Sequence, residues 1–252
     1  MKGWMLMNDR LTIGEKLARR NNDPQNNPAV KAVFLGDSVT HGCFEIYPTP
    51  EGGIETIYDP ESVYHSLLRK KLLAVFPRAP LNVINAGISG DSASGGLRRL
   101  ERDVLSASPD LVVVSFGLND ACQGIDKLEQ YTSSLRAIFT RTKAAGAEVV
   151  FLTPNMMCRY ADPRLTDPAC FKVAQEEAYV QNQGQLDRYM TAAIATAKEC
   201  GAAVCDCYSR WKTLERLGLD TTSLLSNHIN HPSRAMHELF ADELFRLIVF
   251  GE

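Results

Sequence analysis

Short apolar runs alternate with longer amphipathic stretches along the chain. Five runs stand out: Val30–Leu35, Leu81–Ala86, Leu111–Phe116, Glu148–Thr153 and Ala202–Asp206. Each is rich in Val, Ile or Leu without apolar–polar alternation, the pattern of parallel strands buried on both faces. Between them, Ser62–Phe76, Ser94–Leu105, Leu128–Ala144, Gln185–Cys200 and Ser233–Phe250 read as helices. The last places Met236, Leu239, Phe240, Leu244, Leu247 and Ile248 on one apolar stripe. Turn signals such as Pro77-Arg78-Ala79-Pro80 and Ala145-Gly146-Ala147 separate helix from strand. Alternation of this kind predicts a doubly wound α/β domain with right-handed crossovers. The expected architecture is a flavodoxin-like three-layer α/β/α sandwich with a five-stranded parallel sheet, its first strand central.

Two segments depart from the alternation. Residues 44–61 are rich in Pro, Gly and Tyr, and residues 155–182 are long for a simple connection. Both leave the carboxyl edge of the sheet, so both read as loop insertions near a site. Residues 1–28 read as a peripheral N-terminal helix over Leu11–Arg20 and a polar connector. Without an internal repeat or low-complexity linker, residues 1–252 are expected to form a single domain.

Composition narrows the function. The net charge of −3 carries no long block of one sign, which argues against a nucleic-acid partner or an anionic membrane surface. No stretch reaches the roughly 18 apolar residues that span a bilayer. The apolar patch in Met1–Met7 gives way at once to Asn8-Asp9-Arg10 and does not read as a secretory signal. The seven cysteines are odd in number and scattered, as expected of free thiols in a reducing cytoplasm. Cys205 and Cys207 lack a second ligand pair at zinc-type spacing, so no metal site is expected. Nucleotide binding by Gly87–Gly96 is disfavoured, because the stretch has neither a P-loop lysine nor a G-x-G-x-x-G pattern.

Candidate chemistry gathers at the strand ends and before the last helix. Gly36-Asp37-Ser38 ends the first strand, Asn85-Ala86-Gly87-Ile88-Ser89-Gly90 the second and Gly117-Leu118-Asn119-Asp120 the third. Asn227-His228-Ile229-Asn230-His231-Pro232 precedes the final helix. Each has an ordinary reading: Ser38 as a helix cap, Gly87 as a strand end, Asn119-Asp120 as a turn and His231 as a helix start. Their joint occurrence at one sheet edge suits nucleophilic catalysis. A serine hydroxyl needs a base to take its proton, and histidine titrates near neutrality. Asp37 is expected to fix the turn by bonding local backbone. His41 is a rival base, three residues beyond Ser38 on the same turn.

With these four blocks in order, roughly from Val33 to Leu244, the chain resembles the SGNH hydrolases, the GDSL-type esterase and lipase superfamily. The resemblance implies Ser38 as nucleophile and His231 as base. It also implies an oxyanion hole formed by the backbone N–H groups of Ser38 and Gly87 and the side-chain amide of Asn119. The family's acid stands three residues before the histidine, where this chain has His228. Three explanations stay open: a Ser–His dyad whose ring is held by a backbone carbonyl, a neutral orienting role for Asn227 or His228, or a weakly active domain. The dyad is favoured because all the implied oxyanion donors are present. The implied function is hydrolysis of a short acyl ester, acetyl foremost, on a carbohydrate or other small molecule, with no cofactor. Lysophospholipase or thioesterase activity, or a non-catalytic carbohydrate-binding domain, are the alternatives. Oligomeric state is not legible.

Overall fold

The computed structural model describes residues 11–252 other than Gly52. After helix α1 (Ile13–Asn22) and strand β1 (Lys31–Gly36), the chain makes one helical turn, α2 (Ser38–His41). A hairpin of β2 (Cys43–Pro48) and β3 (Ile54–Tyr58) follows. The chain then runs through α3 (Tyr64–Val75), β4 (Asn82–Gly87), α4 (Ala93–Asp103), β5 (Leu111–Ser115), the short α5 (Leu118–Cys122), α6 (Leu128–Ala144) and β6 (Glu148–Leu152). It ends with α7 (Pro168–Asn182), α8 (Gln185–Glu199), β7 (Ala203–Cys205), α9 (Cys207–Arg216) and α10 (Arg234–Phe250).

Five strands form a parallel sheet in the flavodoxin-like order β4-β1-β5-β6-β7; the first strand is interior, but β5 and not β1 stands in the middle. All of β5 and all of β1 after Lys31 are buried. Helices α1, α3 and α10 form one layer and α4, α6 and α8 another. Apolar side chains such as Phe34 and Phe151 fill the space between sheet and helices, each contributing about 1.5–3 kcal/mol by leaving water. Gly36 pairs with Gly87 of β4 and with Ser115 of β5, so three strands end level. The turns that follow them share one crevice beyond the strand ends, where open parallel sheets bind ligands.

The two segments read as loops hold regular structure. Residues 44–61 contain most of the hairpin, whose Tyr47, Ile54, Ile57 and Tyr58 are all exposed. With neither face buried along its outer length, the hairpin carries no one-sided apolar period. Residues 155–182 contain α7, whose start was signalled: Asp167 accepts from the N–H groups of Ala169 and Cys170 at 2.9 and 3.0 Å, and Pro168 occupies the first turn. The N-terminal helix is more than peripheral. Ile13 and Leu17 are fully buried, and the Glu148 carboxylate at the head of β6 accepts from the N–H groups of Thr12 and Ile13 at 2.8 and 3.1 Å. The Met1–Met7 patch lies outside the described residues. No described helix is long and apolar enough to cross a membrane.

One buried cation ties the strand ends together. Arg99 of α4 donates to the carbonyls of Ala86 and Gly36 at 2.6 and 3.0 Å and pairs with Asp91 at 2.7 Å. Removing one member of such a group leaves buried polar partners unmet. Arg99→Met is therefore expected to lower unfolding free energy by about 3 kcal/mol, measured by urea denaturation.

Candidate active site

Ser38 opens α2 where β1 ends. Asp37 caps the turn, its Oδ1 accepting the Val39 N–H at 3.0 Å. Burial pushes the Asp37 carboxyl up to about 7, against the pull of that hydrogen bond. Beneath the turn, Thr40 Oγ1 meets the Tyr64 hydroxyl at 3.0 Å, and the Thr40 carbonyl accepts from His65 Nε2 at 3.2 Å. Helix α3 thus braces the turn that presents Ser38. The Ser38 backbone N–H has no hydrogen-bond partner among the described residues. His41 faces elsewhere. Its Nδ1 accepts from the Ser89 N–H at 3.3 Å, and its ring packs on Tyr58 with centroids 4.7 Å apart.

Gly87 lies against this turn, but its backbone N–H donates to Asn85 Oδ1 at 2.9 Å. A Cβ at position 87 would fall 2.3 Å from the His41 backbone nitrogen. Gly87 is therefore the glycine that lets β4 pass close to α2, and the expectation that it supplies an oxyanion donor is corrected on that ground. Three residues on, Gly90 adopts φ +76° at an exposed turn, and its N–H has no partner among the described residues. Asn119 reaches the same turn, its Nδ2 donating one hydrogen to the Asp91 carbonyl at 2.8 Å and keeping a second. Asp120 fastens the two together by accepting the Ala93 N–H at 3.0 Å; burial raises its carboxyl to about 7. A surface groove of about 450 Å³ runs from Ile88–Asp91 along α4 and adjoins this turn.

His231 is buried, with Nδ1 2.8 Å from the Phe44 carbonyl oxygen. A carbonyl only accepts, so Nδ1 carries the hydrogen and Nε2 keeps a lone pair. The Phe44 carbonyl is available because the β2–β3 ladder slips register between Cys43 and Ile46. A bulge of this kind frees a backbone group from pairing. Arg234, at the start of α10, latches the bulge in place. It pairs with Glu45 at 2.5 Å and Asp59 at 2.8 Å, and its guanidinium lies 4.4 Å from the Phe44 ring centroid.

Neither Asn227 nor His228, the two neutral orienters left open by the sequence, hydrogen-bonds the ring. Asn227 Oδ1 accepts the backbone N–H groups of Ile229, Asn230 and His231 at 3.0, 2.9 and 2.9 Å, so it shapes the loop and not the imidazole. His228, at φ +55°, turns away and sets its Nδ1 3.6 Å from the Asp162 carboxylate. The role the sequence left open falls to Phe44, for which residue type gave no signal, since every residue has a carbonyl. Gly90, whose N–H is unpaired among the described residues, stands in the same short sequence block as Gly87.

Fold and site together define an ester hydrolase of the SGNH type. The chain belongs to the GDSL-like Lipase/Acylhydrolase family, whose pattern matches residues 34–239. An acetylxylan esterase from Geobacillus stearothermophilus is 26% identical over 229 residues, covering 87% of this chain and 94% of the relative. An arylesterase from Vibrio mimicus is 34% identical over 136 residues, 52% of this chain and 60% of that one. The solved structure of the Geobacillus esterase has the same fold, with a TM-score of 0.63 at 23% identity over 87% of this chain and 94% of that one. Catalytic mutants of that esterase replace a serine, an aspartate or a histidine by alanine, the aspartate three positions before the histidine. This chain has His228 at that spacing before His231.

Burial lowers the His231 ring to about 4, with the Phe44 carbonyl and the Glu45 charge opposing. A base works in its neutral form, and protonation removes the accepting lone pair. With His231 taken as the base, the acid limb of kcat/KM, measured with a neutral ester, is expected near pH 4. A limb near 6.5 would mean a solvated ring.

Proposed function

We propose that this chain is a serine esterase that removes short acyl groups, acetyl foremost, from carbohydrate hydroxyls, with Ser38 as nucleophile and His231 as base. The observation that carries the reading is the 2.8 Å contact between His231 Nδ1 and the Phe44 carbonyl. It supplies what the absent carboxylate otherwise gives: a fixed ring, a single tautomer and an acceptor for the imidazolium N–H. Nε2 takes the Ser38 proton as Oγ attacks the ester carbonyl. The tetrahedral oxyanion sits among the free N–H groups of Ser38 and Gly90 and the second amide hydrogen of Asn119. A preorganised donor of this kind contributes about 3–4 kcal/mol to the transition state. The intermediate collapses, His231 returns its proton to the departing alcohol, and an acyl-serine remains. Water, deprotonated by His231, then attacks the acyl carbon; the imidazolium returns that proton to Ser38 Oγ as the bond breaks, releasing the carboxylic acid and restoring both groups.

The substrate class rests on two supports. The relative matched over most of the chain is named an acetylxylan esterase. The hairpin that supplies the Phe44 carbonyl also exposes Tyr47 and Tyr58, each 48% accessible, and aromatic faces of this kind suit the apolar faces of sugar rings. The groove beside Gly90 offers room for the alcohol portion.

Ser38→Ala and His231→Ala are each expected to lower kcat/KM for p-nitrophenyl acetate by about 10³ or more, while His228→Ala retains most of the activity. A phosphonate probe should label Ser38 in the wild type. Acetylated xylo-oligosaccharides should be turned over faster than lysophospholipids or long-chain thioesters, and the reverse order would favour the lipid reading. An inactive His228→Ala beside an active His231→Ala would overturn the assignment. Sugar binding with neither turnover nor labelling would mark a non-catalytic domain.

A further inference from the structure

The ring of His231 is held by Phe44, whereas its backbone is held by a different set of residues. The loop that carries it is closed by a bridge between Leu225 and Pro232 and by the Ser226 N–H donating to the His231 carbonyl at 2.8 Å. Inside the loop, the Asn227 carboxamide gathers three backbone N–H groups on its oxygen, including that of His231. Its Nδ2 donates to Asn230 Oδ1 at 3.0 Å. Asn230 Nδ2 in turn donates to Glu177 Oε1 at 2.8 Å. The Asn230 backbone carbonyl accepts from Asn155 Nδ2 at 2.7 Å.

This series has a direction. An amide side chain has a donor end and an acceptor end, and nothing in its own shape says which way it faces. At one terminus stand backbone N–H groups, which only donate. At the other, Glu177 Oε1 offers an acceptor. The two amides between them fit both termini in one orientation only. Glu177 is buried on the inner face of α7, beside Ala174, Ala178 and Gln181. Its Oε2 has no hydrogen-bond partner among the described residues. Burial pushes this carboxyl up to about 8, against the pull of Asn230. A half-satisfied carboxyl in an apolar setting is costly to folding. Its position therefore calls for a reason other than stability.

We infer that Glu177 is a positioning residue: through Asn230 and Asn227 it fixes the backbone of the loop that presents His231, complementing Phe44 where this chain lacks the usual acid. The inference rests on His231 being the base, as proposed above. The two contacts divide the work. Phe44 sets the rotation and tautomer of the ring, and Glu177 sets where the ring's own Cα sits. A small misplacement of a catalytic group is enough to cost one to two orders of magnitude in rate.

The test compares Glu177→Met, which keeps the volume and removes the acceptor, with Glu177→Gln, which keeps the acceptor. Met is expected to lower kcat about tenfold with KM within about twofold, and its melting temperature should not fall. Gln should restore kcat. Backbone amide exchange, followed by mass spectrometry, should rise across residues 226–232 in the Met variant and not in the Gln variant. Should the Met variant fail to fold, Asn230→Ala breaks the same series one link closer and is read in the same way. Unchanged kcat and unchanged exchange in a folded Met variant overturn the inference, as does a loss that Gln does not restore. An active wild type with an unaffected Met variant sinks the relay and leaves the base assignment standing. A wild type that hydrolyses no ester sinks the base assignment, and the exchange measurement still reads the relay.

Discussion

A single hydrogen bond, from the His231 ring to the Phe44 backbone carbonyl, is the constraint on which the site depends. A catalytic imidazole must keep one nitrogen free and the other occupied, and the occupying group must tolerate positive charge as the proton arrives. A carboxylate does this with a full negative charge. A carbonyl does it with a dipole and so keeps the tautomer while giving up part of the electrostatic stabilisation. Burial lowers the ring to about 4, and the hydrogen bond to the Phe44 carbonyl offsets only part of that fall. The hairpin exists in the form it does around this bond. Its bulge frees the carbonyl, and the Arg234 pairs with Glu45 and Asp59 fix the bulge to the helix that follows His231.

The surroundings share a second property. Three carboxyl groups near the strand ends, Asp37, Asp120 and Glu177, are buried enough to be raised to about 7 or 8. Each accepts a hydrogen bond from a turn or loop of the site: Val39, Ala93 and Asn230 respectively. Buried acids are poor contributors to stability. Here they act as acceptors that hold donors in place, while Arg99 separately ties β1 and β4 to Asp91. The site is thus built on polar groups that a core selected for stability alone would replace.

How far this was legible in the sequence depends on what kind of atom does the work. The five strands were readable to within a residue or two: β1, β5 and β6 are buried along nearly their whole length and leave continuous apolar runs, while the half-exposed edge strands β4 and β7 carry shorter ones. Ser38, Asn119 and His231 stand out in the sequence because the roles proposed for them belong to their side chains. Phe44 was not, because it acts through its main chain and only the hairpin's register exposes that carbonyl. Gly87 and Gly90 stand in one short block, and only the hydrogen bond to Asn85 shows which N–H is already taken. Helix α7 was hidden in a long apparent loop although Asp167-Pro168 marked its start. The hairpin escaped because its exposed outer half shows no alternating pattern.

The most direct measurement is the nitrogen NMR spectrum of the His231 ring in the resting enzyme at neutral pH. The expected spectrum is that of a neutral ring with its hydrogen on Nδ1, a hydrogen-bonded proton shift for that N–H, and Nε2 unprotonated. A ring protonated on Nε2, or one whose two tautomers interconvert as in free histidine, would contradict it.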